Sequence, residues 1–319
     1  MRQLLSIILT LYSISTLAQN DITYFKHITS DEGLPSNYVE AIYQTLDGFM
    51  WFGSSDGLSR FDGLSFLNFR NNQSDTTSLI DNEIKCLTED KYNRLWVGTQ
   101  RGLAYLNLKT YKFKWFTKEF SENIGSCWIS SLSDIGNNKL LIGTYGYGLF
   151  VLDITTNKIV KNYTRGEGDN KLINNNIRFI CPDGSGKIWL ATDDGLDVIQ
   201  PESGKVNHML KGQVIFNICV DNTGNILATS LNSNNLYTIN SASSEILNIE
   251  KVNIKSAENA KLFFFDKEGS RWLGISGDGL YRYNYQNNTI QHFTSNNFDA
   301  DGLSSNNILK IFPFCFFNQ

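Results

Sequence analysis

Five side chains with the chemistry of ligand recognition lie in predicted loops of this 319-residue sequence. Trp128, Tyr145 and Tyr147 are near one another in the chain, and Arg101 and Tyr38 lie in loops of the same kinds. Aromatic faces stack on sugars or on other flat apolar surfaces, while their polar tips form hydrogen bonds. We therefore predict that these five residues bind a ligand.

Catalytic and metal-binding chemistry is not indicated. The sequence lacks the HExxH and GxxxxGK[ST] motifs of zinc proteases and phosphate-binding loops. Its three histidines are isolated, and its five cysteines lack CxxC spacing: Cys86, Cys127, Cys181, Cys219 and Cys315. Buried single thiols behave as small hydrophobic side chains, and a metal site needs clustered ligands. We therefore expect no catalytic residue, no metal and no cofactor.

Composition narrows the protein class. Hydrophobic residues make up 41% and aromatic residues 13% of the chain, which is enough for a large packed core. Charged residues make up only 19%, which argues against a disordered chain or a coiled coil. The net charge of −4 argues against a general nucleic-acid-binding protein. The 25 glycines beside 4 prolines are typical of a β-protein with many tight turns.

The elements that must position the five side chains come from an internal repeat. Segments such as DGFMWFGSSDGL, YNRLWVGTQRGL and EGSRWLGISGDGL align on one anchor position. The anchors are spaced by 45, 45, 48, 38 and 45 residues: Trp51, Trp96, Leu141, Trp189, Leu227 and Trp272. A period near 45 residues is typical of one four-stranded propeller blade.

Certain residue types recur at constant distances from the anchor, and each has an expected structural role. An aspartate six residues earlier, as in Asp90 and Asp183, can accept hydrogen bonds from its own turn, so we expect a structural role. A glycine two residues later, as in Gly53 and Gly98, shares the anchor's face of the strand and leaves room for the neighbouring blade. Asp56 and similar carboxylates precede a repeated glycine, and we assign them to turns rather than to catalysis.

We predict an all-β protein, a β-propeller of four-stranded blades, with six complete blades and an incomplete seventh. Residues 24–28 resemble an outer strand, and we expect this N-terminal strand to close the seventh blade. The segment DADGLSSNNILKIF supplies the inner strand of that blade, so its two middle strands are missing and we expect a frayed end. A two-sheet sandwich is the alternative, but it does not need so regular a repeat.

The run EGLPSNYVEAIYQTLDGFMWFGSSDGLSRFDG resembles the two-component regulator propeller repeat, and the resemblance extends over residues 22–312. It implies the N-terminal periplasmic sensor part of a hybrid two-component histidine kinase, with glycans as the usual ligand class. The kinase, receiver and DNA-binding parts of such proteins have no counterpart in this sequence, so we expect no kinase activity. We interpret the chain as a truncated member, whose possible homodimerisation would depend on the missing domains.

In a propeller, the loops from outer to inner strand and from anchor to third strand share one face. This arrangement predicts that Trp128, Tyr145 and Tyr147 of the third blade gather on one face, with Arg101 on the preceding blade. The alternative is that Trp128 fills the core, compensating for the leucine at anchor position Leu141.

The N-terminal sequence predicts export. Residues 1–18 combine Arg2, an apolar stretch and a small-residue cleavage site, which is typical of a signal peptide. We expect residues 19–319 to form the propeller in the periplasm, without a membrane span or a nucleic-acid partner. The expected function is a sensor module that binds an oligosaccharide. The alternatives are a protein-interaction scaffold and a propeller glycosidase or lyase, which would need paired carboxylates at non-repeated positions.

Overall fold

The computed structural model describes residues 25–116, 127–233, 235–251, 260–266, 269–284, 289–295 and 302–312. Within these ranges the chain forms six four-stranded antiparallel sheets and one 3-10 turn, Ser30–Glu32, but no α-helix. None of the described segments makes a helix with the length and apolar character needed to cross a membrane. The predicted signal peptide, residues 1–18, lies outside the described residues.

Each sheet is one blade, and its strands follow chain order from the inside outwards. Blade one contains β1 (Val39–Gln44), β2 (Met50–Ser54), β3 (Gly57–Phe61) and β4 (Phe66–Phe69). Blade two contains β5 (Ile84–Asp90), β6 (Arg94–Thr99), β7 (Gly102–Asn107) and β8 (Lys112–Trp115). Blade three contains β9 (Ile129–Asp134), β10 (Lys139–Thr144), β11 (Leu149–Asp153) and β12 (Lys158–Tyr163).

The second half of the ring repeats this order. Blade four contains β13 (Ile177–Pro182), β14 (Ile188–Thr192), β15 (Gly195–Gln200) and β16 (Lys205–Met209). Blade five contains β17 (Ile215–Val220), β18 (Ile226–Ser230), β19 (Asn235–Ile239) and β20 (Ile246–Lys251). Blade six contains β21 (Ala260–Phe265), β22 (Arg271–Ile275), β23 (Gly279–Asn284) and β24 (Thr289–Phe293). The six complete blades predicted from the repeat are confirmed.

The anchor side chains form the core between blades, as predicted. Trp51, Trp96 and Trp189 are almost completely buried, and so are the two leucine anchors, Leu141 and Leu227. Trp272 is the only anchor that is half-buried. Burial of a side chain of this size removes a large apolar area from water, so the anchors contribute strongly to stability.

The aspartate six residues before the anchor binds both its own turn and the anchor indole. The Trp96 Nε1–H donates to Asp90 Oδ2 at 2.6 Å, and the Tyr92 amide donates to the other carboxylate oxygen at 2.8 Å. Equivalent bonds join Trp189 to Asp183 at 2.9 Å and Trp272 to Asp266 at 2.8 Å. In blade one, Thr45 Oγ1 takes the place of the carboxylate and accepts from Trp51. The turn role predicted for these aspartates is confirmed, and the indole bond adds to it.

The glycine two residues after the anchor allows the next blade to approach closely. A Cβ added at Gly98 would lie 2.6 Å from Ile129 Cγ2, and one at Gly143 would lie 2.9 Å from Ile177 Cγ2. Ile129 and Ile177 each begin the inner strand of the following blade. Such separations are far below van der Waals contact, so glycine at this position determines how tightly adjacent sheets pack.

The seventh repeat occupies its expected place without forming a sheet. A Cβ added at Gly274 would lie 2.8 Å from Ile308 Cγ2, so Ile308 packs on blade six as Ile129 packs on blade two. The Phe312 and Tyr43 rings are 6.4 Å apart, which brings the segment against blade one. The described residues 25–29 and 302–312 contain no β-strand, so the predicted closure of a seventh blade by the N-terminal strand is not seen in them. The His27 ring instead contacts the Gly302 carbonyl oxygen at 2.7 Å.

We predict that Asp90→Ala lowers the free energy of unfolding by about 3–5 kcal/mol, because it removes the buried carboxylate that accepts from the Trp96 indole and pairs with the half-buried Arg94 guanidinium. Asp221→Ala is the matched control, because Asp221 accepts from its turn in blade five but has no indole partner there. The control should cost about 1 kcal/mol. Urea unfolding followed by fluorescence measures both, and equal losses would contradict the special role of the indole bond.

We also predict that Gly98→Ala destabilises the propeller by about 1–3 kcal/mol, since the new methyl group overlaps Ile129 of the next blade. Gly166→Ala provides the control, because its added Cβ meets only the flexible Lys171 side chain. Thermal unfolding should show a lower Tm for the first variant and little change for the second. An unchanged Tm for Gly98→Ala would mean that the blades have room to separate.

Candidate functional site

A β-bulge recurs at one position of every inner strand. The pairing with the second strand shifts register between Val39 and Ala41 in β1, and between Ile84 and Cys86 in β5. The same shift occurs in blades three, four, five and six. A bulge leaves one residue unpaired and re-aims its side chain. In blades one to five these residues line one central cavity: Glu40, Lys85, Ser130, Arg178 and Phe216.

The cavity has a volume of about 610 Å³ and lies within the ring formed by the inner strands. Inner strands of blades one to five contribute to its wall, together with residues 309–312 from the seventh repeat. Cavities of roughly 300–1,000 Å³ are the usual size of small-molecule sites. The structure therefore provides one concave place where side chains from many blades converge.

Trp128 and Tyr145 form an aromatic pair on the wall of this cavity. Their ring centroids are 5.0 Å apart, and the rings are inclined by 31°. The Tyr145 amide donates to the Trp128 carbonyl oxygen at 3.0 Å, which links the two loops of blade three. Trp128 is 39% exposed and Tyr145 36% exposed, so both present ring surface to a ligand. Exposed and clustered aromatic rings are a common feature of binding sites.

Asp193 of blade four holds the tyrosine in place. The Tyr145 hydroxyl donates to Asp193 Oδ2 at 2.8 Å, and the Asn176 side-chain amide donates to the same oxygen at 2.8 Å. Arg178 forms an ion pair with the other carboxylate oxygen. Burial alone would raise the pKa of Asp193, but these hydrogen bonds and the guanidinium leave it below its usual value. The bond to the carboxylate raises the pKa of Tyr145. The phenol therefore remains a neutral donor.

Lys85 connects the aromatic pair to the carboxylates of blades one and two. Its Nζ lies 2.9 Å from Glu40 Oε2, 2.7 Å from Glu83 Oε1 and 5.4 Å from the centroid of the Trp128 ring. Burial acts to lower the pKa of Lys85, but the two carboxylates outweigh it and raise this pKa. Lys85 is therefore charged, and its charge is balanced within the site.

Three of the five predicted binding residues lie at this cavity. Tyr38, Trp128 and Tyr145 contribute to its wall. Arg101 and Tyr147 are exposed on the turns that follow their anchor strands and do not line it. Their backbone amides donate to Thr99 Oγ1 and Thr144 Oγ1, which fixes both residues to those turns. Arg101 and Tyr147 therefore do not share this cavity with the other three residues, and their role in ligand binding stays a prediction.

The alternative that Trp128 fills core space left by the anchor leucine is also not supported. Leu141 is fully buried among the apolar side chains between blades three and four, while Trp128 is partly exposed at the cavity. Leu141 thus occupies the anchor position by itself.

The bulge residues are the part of the site that sequence reasoning missed. In blades one to five each follows the isoleucine or valine that begins the inner strand, and Ile308 holds that position in the seventh repeat, whereas blade six has Ala260 there. The next position changes chemistry from repeat to repeat, with glutamate, lysine, serine, arginine and phenylalanine. The sequence signal for the bulge position is therefore a residue of variable chemistry directly after the apolar residue that begins the inner strand. Cys86, also half-buried at the cavity, has a pKa raised to about 12 by burial, as expected of a structural thiol.

Residues 53–57 have the GxSxG spacing of a hydrolase nucleophile. That motif requires a strand–turn–helix, whereas Ser55 lies in the turn between β2 and β3. The Ser55 hydroxyl contacts the Ser36 hydroxyl at 3.0 Å rather than a histidine. The spacing is therefore part of the blade repeat and not a catalytic motif.

Comparison with known proteins gives a consistent result. The two-component regulator propeller family matches residues 78–101 and 171–194, in blades two and four. A histidine kinase of Formosa agariphila is 28% identical over 179 residues, which cover 52% of this chain and 12% of that protein. The predicted resemblance to two-component regulator propeller repeats is confirmed.

Solved structures share the fold. The extracellular domain of a B. thetaiotaomicron protein assigned as a hybrid two-component system superposes with a TM-score of 0.75 at 22% identity, covering 91% of this chain and 39% of that one. Virginiamycin B lyase from Staphylococcus aureus superposes with a TM-score of 0.63 at 14% identity, covering 80% of this chain and 84% of that one. Identities this low establish the propeller fold alone.

We predict that Trp96→Ala lowers the free energy of unfolding by about 3–5 kcal/mol, because Trp96 is fully buried at an anchor. Trp128→Ala should cost much less, because its indole is partly exposed at the cavity. Chemical denaturation of the two variants tests this difference. Equal destabilisation would show that Trp128 supports the core rather than the site.

Proposed function

Because the chain carries two-component regulator propeller repeats, we propose that it is the ligand-sensing module of a two-component signalling system. In this proposal residues 1–18 direct export, and residues 19–319 form a periplasmic propeller that binds an oligosaccharide. The observation that carries the proposal is the Trp128–Tyr145 pair on the wall of the central cavity. The chain spans 12% of the length of the histidine kinase it matches, so signalling itself would depend on parts outside this sequence.

The wall of the cavity has the chemistry that a sugar needs. The two rings offer flat apolar surface for the C–H face of a pyranose, and Tyr38 adds a third aromatic ring. Around them, Glu40, Lys85 and Arg178 offer acceptors and donors for hydroxyl groups. Because these charged groups are already paired with each other or with neighbours, a neutral ligand can bind without stranding a charge.

The same pairing argues against a glycosidase or lyase. Such enzymes need two carboxyl groups that face the substrate in different protonation states. Glu40 at the cavity is ion-paired with Lys85, and Asp193 behind the wall is ion-paired with Arg178, so these two carboxylates do not face a common substrate position as such a pair must. We therefore propose a binding role without catalysis.

A protein-interaction scaffold is the second candidate. The outer strand β20 exposes three apolar side chains, Ile246, Leu247 and Ile249. Apolar side chains on an edge strand are a feature of surfaces that contact other proteins. Incubation with an envelope extract followed by cross-linking would identify such a partner, and Leu247→Lys should abolish its capture.

We predict that Trp128→Ala weakens binding of an oligosaccharide by at least about tenfold, or about 1.4 kcal/mol, because it removes the apolar ring surface on which the C–H face of a sugar would pack. Tyr92→Ala is the matched control, since Tyr92 is 45% exposed but lies on the β5–β6 turn, away from the cavity. Calorimetry of the wild type against a panel of neutral oligosaccharides identifies the ligand, and the two variants are then compared. Equal affinity in wild type and Trp128→Ala would refute the proposed site.

A further inference from the structure

Lys310 is the one cavity cation that lies outside the six blades among the residues that the structure describes. Lys310 belongs to the segment that takes the inner-strand place of the seventh repeat, two residues after Ile308. Its side chain lines the cavity, and its Nζ lies 5.3 Å from the centroid of the Phe179 ring in blade four. The ammonium group therefore extends inwards from the ring wall towards an opposite blade.

The cations of the cavity differ in their carboxylate partners. Lys85 is paired with Glu40 and Glu83, and Arg178 is paired with Asp193. Within the part of the chain that the structure describes, Lys310 forms no ion pair with a carboxylate. The neighbouring group is the Cys86 thiol, which is neutral because burial raises its pKa to about 12.

Lys310 is half-buried at the cavity wall, so its ammonium group is partly removed from water. Transfer of a charge from water into a protein interior is unfavourable unless another charge or several hydrogen bonds compensate for it. The cation–π contact with Phe179 compensates only in part. In agreement with this, burial lowers the pKa of Lys310. An anionic group in the cavity would supply the missing partner and restore a fully charged lysine.

We propose that the central cavity binds an anionic sugar, with the Lys310 ammonium contacting its carboxylate or other oxyanion. This inference rests on the proposed function and narrows its ligand class from oligosaccharides in general to acidic ones, such as those that contain uronic acids. The oxyanion would lie beside Lys310, while the aromatic pair at Trp128 and Tyr145 holds the sugar ring.

The experiment compares sugars with and without an anionic group. The full chain, labelled with ¹³C and ¹⁵N at lysine, is titrated with D-glucuronate, glucose 6-phosphate, glucose and inorganic phosphate. The variants are Lys310→Met, Lys310→Arg and the control Lys112→Met, which removes an exposed lysine from the outer strand β8. Thermal unfolding of each variant shows whether it folds, and Lys310→Met should be at least as stable as the wild type because it removes an unpaired charge.

In the wild type, glucuronate should shift the Lys310 signals saturably and bind at least about tenfold more tightly than glucose. Lys310→Met should lose this preference, Lys310→Arg should keep most of it, and Lys112→Met should keep all of it. A response to glucose 6-phosphate instead of glucuronate would identify a phosphorylated sugar as the anionic ligand. The absence of a Lys310 shift with either anion, or an unchanged preference in Lys310→Met, would overturn the inference.

The outcome also separates this inference from the proposed function. Neutral sugars that bind through Trp128 with no advantage for glucuronate would uphold the proposed function and overturn the anionic ligand. Inorganic phosphate that binds Lys310 as well as any sugar does, with no effect of Trp128→Ala, would uphold an anion site and overturn the oligosaccharide.

Discussion

The packing of an isoleucine against a glycine is the contact on which the ring depends. Gly98 and Gly143 lie on anchor strands, and any side chain there would overlap Ile129 or Ile177 at the start of the next inner strand. Sheets that approach this closely exclude water and bury the large anchor side chains between them. Because the contact recurs at Gly274 with Ile308, the segment after blade six is held in the ring although it has no sheet of its own.

The same contact has a consequence for the site. The first inner-strand residue packs against a neighbouring blade, and the next residue is left out of the ladder at a bulge and lines the central cavity. The fixed isoleucine therefore supplies rigidity, and the variable residue beside it supplies chemistry. Lys85 and Arg178 stand at equivalent positions in different blades, so substitutions at one register can change the ligand without disturbing the packing.

The cavity cations on the blades differ in their charge partners from Lys310, which lies in the segment of the seventh repeat. Lys85 and Arg178 have carboxylate partners on neighbouring elements, and the hydrogen bonds to Asp193 also orient Tyr145. These contacts hold the side chains of the wall in place within the protein itself, and such preorganisation would lower the entropy cost of the proposed binding. Lys310 has no such partner in the described chain, and its ammonium faces a neutral thiol and an aromatic ring.

The sequence by itself determined the number of blades, the order of strands and the inward-facing anchors, because these depend on a repeat that each blade satisfies locally. It also singled out Trp128 and Tyr145, which depart from that repeat. It did not reveal that Asp90 binds the Trp96 indole, or that Arg101 and Tyr147 lie away from the cavity, because side-chain direction within a turn depends on its hydrogen bonds. The bulges, the pairing of charges across blades and the exposed position of Trp128 were decided only by tertiary structure, since each brings together residues that are distant in the chain.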